Sequence, residues 1–225
     1  MSLLSGCLAL IGREIRLGWG SGGGAFLSAS FFAGAVMVAP FALGPSPESL
    51  GKIGPGYLWL ALTLASLVSL ERLFQADLED GTLDQMLLSD MPQSLHVLCK
   101  IIGQWVATAL PLLAISPIGA LLVRVEPQLI GPLCFQLSVG SLGLFLIGSI
   151  GAALGASTRR GGLLVSLLVL PLYAPSVIFG AGASSNLALD GALWSQPFLF
   201  LCALVLGALA LAPFAAAAAL RIHVD

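Results

Sequence analysis

The sequence predicts an all-α integral membrane protein of six transmembrane helices. Two observations carry that expectation. Of the 225 residues, 58% are hydrophobic and only 9% charged, whereas about a quarter of an ordinary soluble domain is charged. The chain also contains six apolar runs without Asp, Glu, Lys, Arg or His, at 25–43, 54–70, 101–123, 129–157, 163–181 and 197–220, each near the roughly 20 residues that cross a bilayer as a helix. The apolar residues run on without the alternation of a membrane strand, which excludes a barrel.

The chain reads as one membrane domain over 1–225, with 1–24 forming an elbow helix and hinge ahead of the first span. In that N-terminal stretch Leu4, Leu8, Ile11, Ile15 and Trp19 recur at steps of three or four, with Arg13 and Arg16 opposite. This pattern predicts an amphipathic helix on the inner membrane face. Glu14 falls at the edge of the apolar stripe and blemishes it. Gly20-Ser21-Gly22-Gly23-Gly24 follows as a flexible hinge. No signal-peptide pattern is expected, because positive charge follows the apolar residues and no small-residue cleavage site comes after them.

Orientation follows from the basic residues. Arg13, Arg16, Arg72, Lys100, Arg159, Arg160 and Arg221 fall on one side of the six runs, and only Lys52 and Arg124 on the other. The first side is expected to be cytoplasmic, with both termini there. The second span is the shortest, opening at Gly54-Pro55-Gly56 with Tyr57 and Trp59 placed for an interfacial belt. Gly140, Gly143, Gly148, Gly151 and Gly155 give the fourth span a small-residue side, with Gly151 and Gly155 in the close-packing spacing, read as helix packing within the chain or between copies. Pro111, Pro117, Pro171, Pro175 and Pro213 are expected to kink their helices. The outer connection 182–196 has no shape fixed by its sequence, short re-entrant or interfacial helices being one arrangement it allows.

The segment 71–100 is the longest polar piece and holds Glu71, Asp77, Glu79, Asp80, Asp84 and Asp90, more than half of the eleven acidic residues. Gly81 breaks the preceding helix. Thr82-Leu83-Asp84-Gln85 has the form of a capping box, opening a short helix that Pro92 prevents from continuing. That helix presents Leu83, Met86 and Leu87, either as a docking element for a cytoplasmic partner or as an interfacial connector touching headgroups.

Much chemistry is excluded. Nine Lys+Arg against eleven Asp+Glu give a net charge of −2, which supplies no field for nucleic acid. Cys7, Cys99, Cys134 and Cys202 lack metal or disulfide spacing and read as small buried thiols. His96 and His223 lie at helix ends without partners at ligand spacing and read as solvated, so no metal site and no cofactor is expected on this chain. No span carries an ionisable group for proton coupling or acid–base catalysis. No phosphate-binding loop occurs, since Gly51-Lys52 precedes Ile53 and lacks the earlier glycine. The chain is expected to be non-catalytic, with any energy supplied by another subunit.

The segment from Glu79 to Pro92, followed by Lys100, resembles the coupling loop of type-2 ABC transporter membrane subunits. More narrowly, Leu70-Glu71-Arg72-Leu73-Phe74 with Asp77-Leu78-Glu79-Asp80-Gly81, then Leu110-Pro111-Leu112-Leu113, Ser116-Pro117, Arg160-Gly161-Gly162, Leu170-Pro171-Leu172 and Pro213-Phe214-Ala215, resemble the haem exporter protein B family of bacterial cytochrome c maturation. The likeness spans essentially the whole chain. It implies a multi-pass subunit of the bacterial inner membrane that pairs with a separate ABC ATPase, haem exporter protein A, which binds the ATP. It implies partnership with the haem-handling C and D proteins and with the periplasmic haem chaperone, the E protein, whose haem-loaded form is released on ATP hydrolysis, so that haem is handled by the complex.

On that resemblance two copies of the chain would form the membrane core. Glu71, Arg72, Glu79, Asp80, Gly81, Thr82, Leu83, Gln85, Met86 and Leu87 would form the ATPase-coupling loop. Glu71 and Arg72 would either stiffen its lever or simply anchor a helix end. The alternative is a type-2 ABC exporter permease for a lipid, glycan or drug, and a passive assembly scaffold would share the fold.

Overall fold

The structure, a computed structural model, describes residues 3–20, 24–42, 46–70, 73–82, 91–156 and 161–221. These form eight helices: α1 (Leu3–Trp19), α2 (Gly24–Ala42), α3 (Pro47–Leu70), α4 (Gln75–Glu79), α5 (Gln93–Leu122), α6 (Pro127–Gly155), α7 (Gly161–Asp190) and α8 (Gln196–Arg221). No strand occurs among the described residues. Helices α2, α3 and α5 to α8 are long and apolar enough to cross a membrane, which gives the six spans that the apolar runs predict.

Two boundaries differ from the sequence reading. The second span is not short: α3 starts at Pro47 and carries Pro55 inside it. The connection 182–196 is not a set of separate short helices. Instead α7 continues unbroken to Asp190, where Gly191 takes a left-handed φ of 65°, which glycine adopts without a Cβ penalty. Its 30 residues reach about 45 Å, more than the roughly 30 Å of hydrocarbon. Its polar residues do not interrupt the helix, because Ser184 is satisfied inside the bundle by Trp59 and Gln136.

The prolines stay within continuous helices. At Pro117 the compensation is visible. A proline cannot donate to the carbonyl four residues back, and the Ser116 hydroxyl donates to that carbonyl, Leu113 O, at 2.8 Å.

The bundle is built around α3 and α6, each burying 67% of its most apolar stretch, against 28% for α7 and α8. Packing here rests on shape, since lipid is as apolar as the core and close approach has to supply the attraction. The Trp59 ring lies between Gly140 of α6 and Gly180 of α7, where an added Cβ would stand 2.1 and 2.5 Å from it. Gly148 faces Leu70 and Tyr173, and Gly151 faces Val169, so the small side of α6 receives α3 and α7. Gly155 is buried at the end of the same helix. Large apolar side chains such as Phe26, Phe41, Leu167, Leu206 and Phe214 remain exposed on the outer surface of the bundle.

A buried charge cluster at the root of the polar loop as candidate functional site

Helix α1 runs lengthwise along α5. A Cβ added at Gly6 would meet Met91 at 3.1 Å, one at Gly103 would meet Glu14 at 2.6 Å, and one at Gly18 would meet Ala107 at 2.7 Å. Trp19 Nε1 donates to Ala107 O at 3.0 Å. The glycines allow the two backbones to touch, and this contact turns Glu14 inward, with 4% of its surface exposed, while Leu4, Leu8 and Trp19 face out. The residue that blemished the apolar stripe is therefore the one that docks the helix.

Glu14 meets a charged group from each of two other elements. Lys100, in the second turn of α5, places Nζ 3.0 Å from Glu14 Oε2 and also contacts Asp77 Oδ2. Asp77 belongs to α4, the short helix that leads into the polar loop. Arg13 closes the set, with its guanidinium 3.0 Å from Glu14 Oε1 and 3.3 Å from Asp77 Oδ1. Two cations and two anions make the cluster formally neutral. Lys100 and Asp77 are as buried as Glu14, whereas the Arg13 side chain is 35% exposed. Desolvating such charges is costly unless each has a partner, and here each has two.

The cluster continues into the membrane as a polar stripe. Lys100, Gln104 and Thr108 repeat at intervals of four, one face of α5. Gln104 Nε2 donates to Ser69 Oγ at 2.7 Å, and Ser69 shares a 2.8 Å hydrogen bond with Thr108. Ser69 is the penultimate residue of α3. Thus α1, α3, α4 and α5 are tied at the point where the chain leaves the second span for the loop.

His96, one turn before Lys100, departs from the solvated helix end expected of it: both ring nitrogens are buried without a partner among the described residues. Cys99 of α5 is buried, and Cys7 of α1 lies near enough to influence its thiol.

Of the predicted loop residues, Glu79 ends α4, Asp80 is exposed, Gly81 has φ of 70°, and Thr82 is half-buried. Glu71, Arg72, Leu83, Gln85, Met86 and Leu87 lie outside the described residues. Sequence reasoning missed Glu14 and Lys100 as partners. Two signals were present: a lone acid on an apolar stripe, and Lys-Gln-Thr at four-residue spacing on a span otherwise poor in polar groups.

A six-span bundle with its buried charges gathered at one end defines a polytopic helical membrane protein. Comparison with known proteins narrows this further. The family model described as CcmB protein matches residues 5–223. The chain is 43% identical over 217 residues to heme exporter protein B of Bradyrhizobium diazoefficiens, covering 96% of this chain and 98% of that one. It is 38% identical over 218 residues to heme exporter protein B of Haemophilus influenzae, covering 97% and 98%, and 41% identical over 199 residues to that of Escherichia coli K12, covering 87% and 88%. The chain belongs to the CcmB family and, with its six spans, is a multi-pass protein of the bacterial inner membrane.

Proposed function

We propose that this chain is the non-catalytic membrane subunit of an ABC transporter complex in cytochrome c biogenesis, coupling ATP hydrolysis on a separate ATPase to haem delivery. The reading takes its haem chemistry from the name of the relatives, heme exporter protein B. One observation supports its mechanics: Asp77, at the entrance to the polar loop, is held by Lys100 of α5 and Arg13 of α1.

A force applied to the loop would reach α4 first. From there the buried cluster, whose charges cannot part without exposing an unpaired ion to a dry interior, would pass it to α1 and α5 together. The polar stripe through Gln104, Ser69 and Thr108 would carry it to α3. The ATPase would dock on the loop segment from Thr82 through Leu83, Met86 and Leu87, and two copies of the chain would stand over two ATPases. Movement of the spans would then release the haem-loaded periplasmic chaperone, with the haem-handling C and D proteins beside it. Both termini would lie in the cytoplasm.

The test introduces charge at Leu83 and Leu87 together. The double variant is expected to insert in the membrane at normal level, to lose its ATPase on purification in mild detergent, and to stop cytochrome c assembly. If it still carries the ATPase and supports assembly, the docking assignment is wrong. Recovery of an ATPase without haem-handling proteins from the unaltered chain would instead favour an exporter of another substrate.

A further inference from the structure

At the end of the bundle opposite the charge cluster, α3, α7 and the α5–α6 junction enclose an open cleft of about 540 Å³, within the size range of small-molecule sites. Lys52 and Arg124 both line it. They are the only two of the nine basic residues that the order of the spans puts at this end. Val125, Leu129 and Leu189 supply an apolar wall.

The backbone at Arg124 gives a second, independent indication. Helix α5 ends with Val125 N donating to Ala120 O at 2.9 Å and Arg124 N to Leu121 O at 3.1 Å. This is the C-terminal cap whose left-handed position is ordinarily glycine. Arg124 fills that position with φ of 61°, alone among the described non-glycine residues. A side chain there strains the backbone where glycine would not, and residues strained in this way cluster at functional sites.

The described lining carries two cations against one carboxylate. That carboxylate, Glu126, accepts from Gln128 Nε2 at 2.6 Å and keeps its negative charge in the cleft. Neither Lys52 nor Arg124 has a side-chain hydrogen bond or ion pair among the described residues. The first turn of α6 adjoins the cleft through Leu129, and helix N-termini favour negative charge.

We propose that this cleft binds an anionic amphiphile, its carboxylate or phosphate held between Lys52 and Arg124 and its apolar body laid against Val125, Leu129 and Leu189. An acidic phospholipid and a tetrapyrrole dicarboxylate share that chemistry. The inference stands on the cleft alone and does not depend on ATP coupling or on the loop.

The full chain in neutral detergent is offered matched probes and the bound species are counted by native mass spectrometry. Phosphatidylglycerol is paired with phosphatidylcholine, and haemin with its dimethyl ester. At least one acidic probe is expected to be retained over its uncharged counterpart. Arg124→Gly keeps the left-handed backbone and relieves its strain, so Lys52→Gln/Arg124→Gly is expected to reduce that preference by about tenfold, the weight of a charged hydrogen bond, without lowering the thermal midpoint. Glu126→Gln is expected to raise it. Retention of phosphatidylglycerol alone makes the ligand a lipid, retention of haemin alone makes it a tetrapyrrole, and retention of both makes the cleft general for the class. No preference in the unaltered chain, or a preference that the double variant leaves unchanged, overturns the proposal.

Discussion

Lys100 Nζ stands 3.0 Å from Glu14 Oε2, although 86 residues separate them, and both side chains are about 95% buried. The contact joins the N-terminal helix to the third span, and the same ammonium holds Asp77 at the root of the polar loop. Removing the ammonium leaves Glu14 and Asp77 with Arg13 as their one counter-ion. Breaking a buried pair on one side costs about 3–5 kcal/mol. Lys100→Met is therefore expected to lower stability by that order, measured by denaturant unfolding in detergent. Adding Glu14→Leu restores neutrality around an Arg13–Asp77 pair and is expected to recover most of the loss. If the double variant is no more stable than the single, balance of charge is not what holds the cluster.

Arg13 tests the same cluster from its wet side. With 35% of its side chain exposed, water screens its ion pairs, and Lys100 still serves both acids without it. Arg13→Gln is expected to cost less than about 1 kcal/mol, the scale of a surface pair. A loss as large as that of Lys100→Met would mean that another chain shields the guanidinium in the assembled complex.

Packing at the bundle's centre yields a prediction with a built-in control. A Cβ at Gly140 would lie 2.1 Å from the Trp59 ring, and Gly180 closes the other side at 2.5 Å, so the indole has no room to withdraw. Its Nε1 is also fixed by a 2.8 Å hydrogen bond to Ser184, which in turn donates to Gln136 at 3.0 Å. Gly140→Ala is expected to cost about 1–3 kcal/mol by overpacking. Gly207→Ala in α8, where an added Cβ meets nothing within 4 Å, is expected to be neutral. Combining Gly140→Ala with Trp59→Phe should relieve part of the strain, and equal midpoints for the two glycine variants would refute the contact.

The spans were legible in the sequence because the bilayer imposes one simple requirement, an apolar run of sufficient length. Gly54-Pro55-Gly56 misled as a boundary because proline and glycine, breakers in water, are tolerated where neighbouring helices and lipid enclose the backbone. The continuation of α7 through Ser184, Ser185 and Asn186 was hidden for the converse reason. Polar residues end an apolar run without ending a helix, and Ser184 turns inward to Trp59 and Gln136. Glu14 and Lys100 were legible singly but not as a pair. Nothing local tells an acid at a stripe's edge which residue, 86 positions on, will neutralise it.

The lengthwise packing of α1 on α5 can be tested with groups the chain already has. The thiols of Cys7 and Cys99 are near enough to interact across that contact, so mild oxidation of the full chain in membranes is expected to form an intrachain disulfide, read as a Cys7–Cys99 linked peptide by mass spectrometry. Cys7→Ser should abolish the product, and Cys134→Ser or Cys202→Ser should leave it unchanged. The Lys100→Met variant should form it more slowly, because Glu14 then no longer pins α1 in register with α5. Rapid linking of Cys7 to either of the other two thiols would contradict the register set by Gly6, Glu14 and Gly18. If the link forms but cytochrome c assembly continues undiminished, α1 and α5 move as one body during the cycle. Loss of assembly restored by a thiol reductant would show instead that the two helices must slide, with the Glu14–Lys100 contact as the point they slide past.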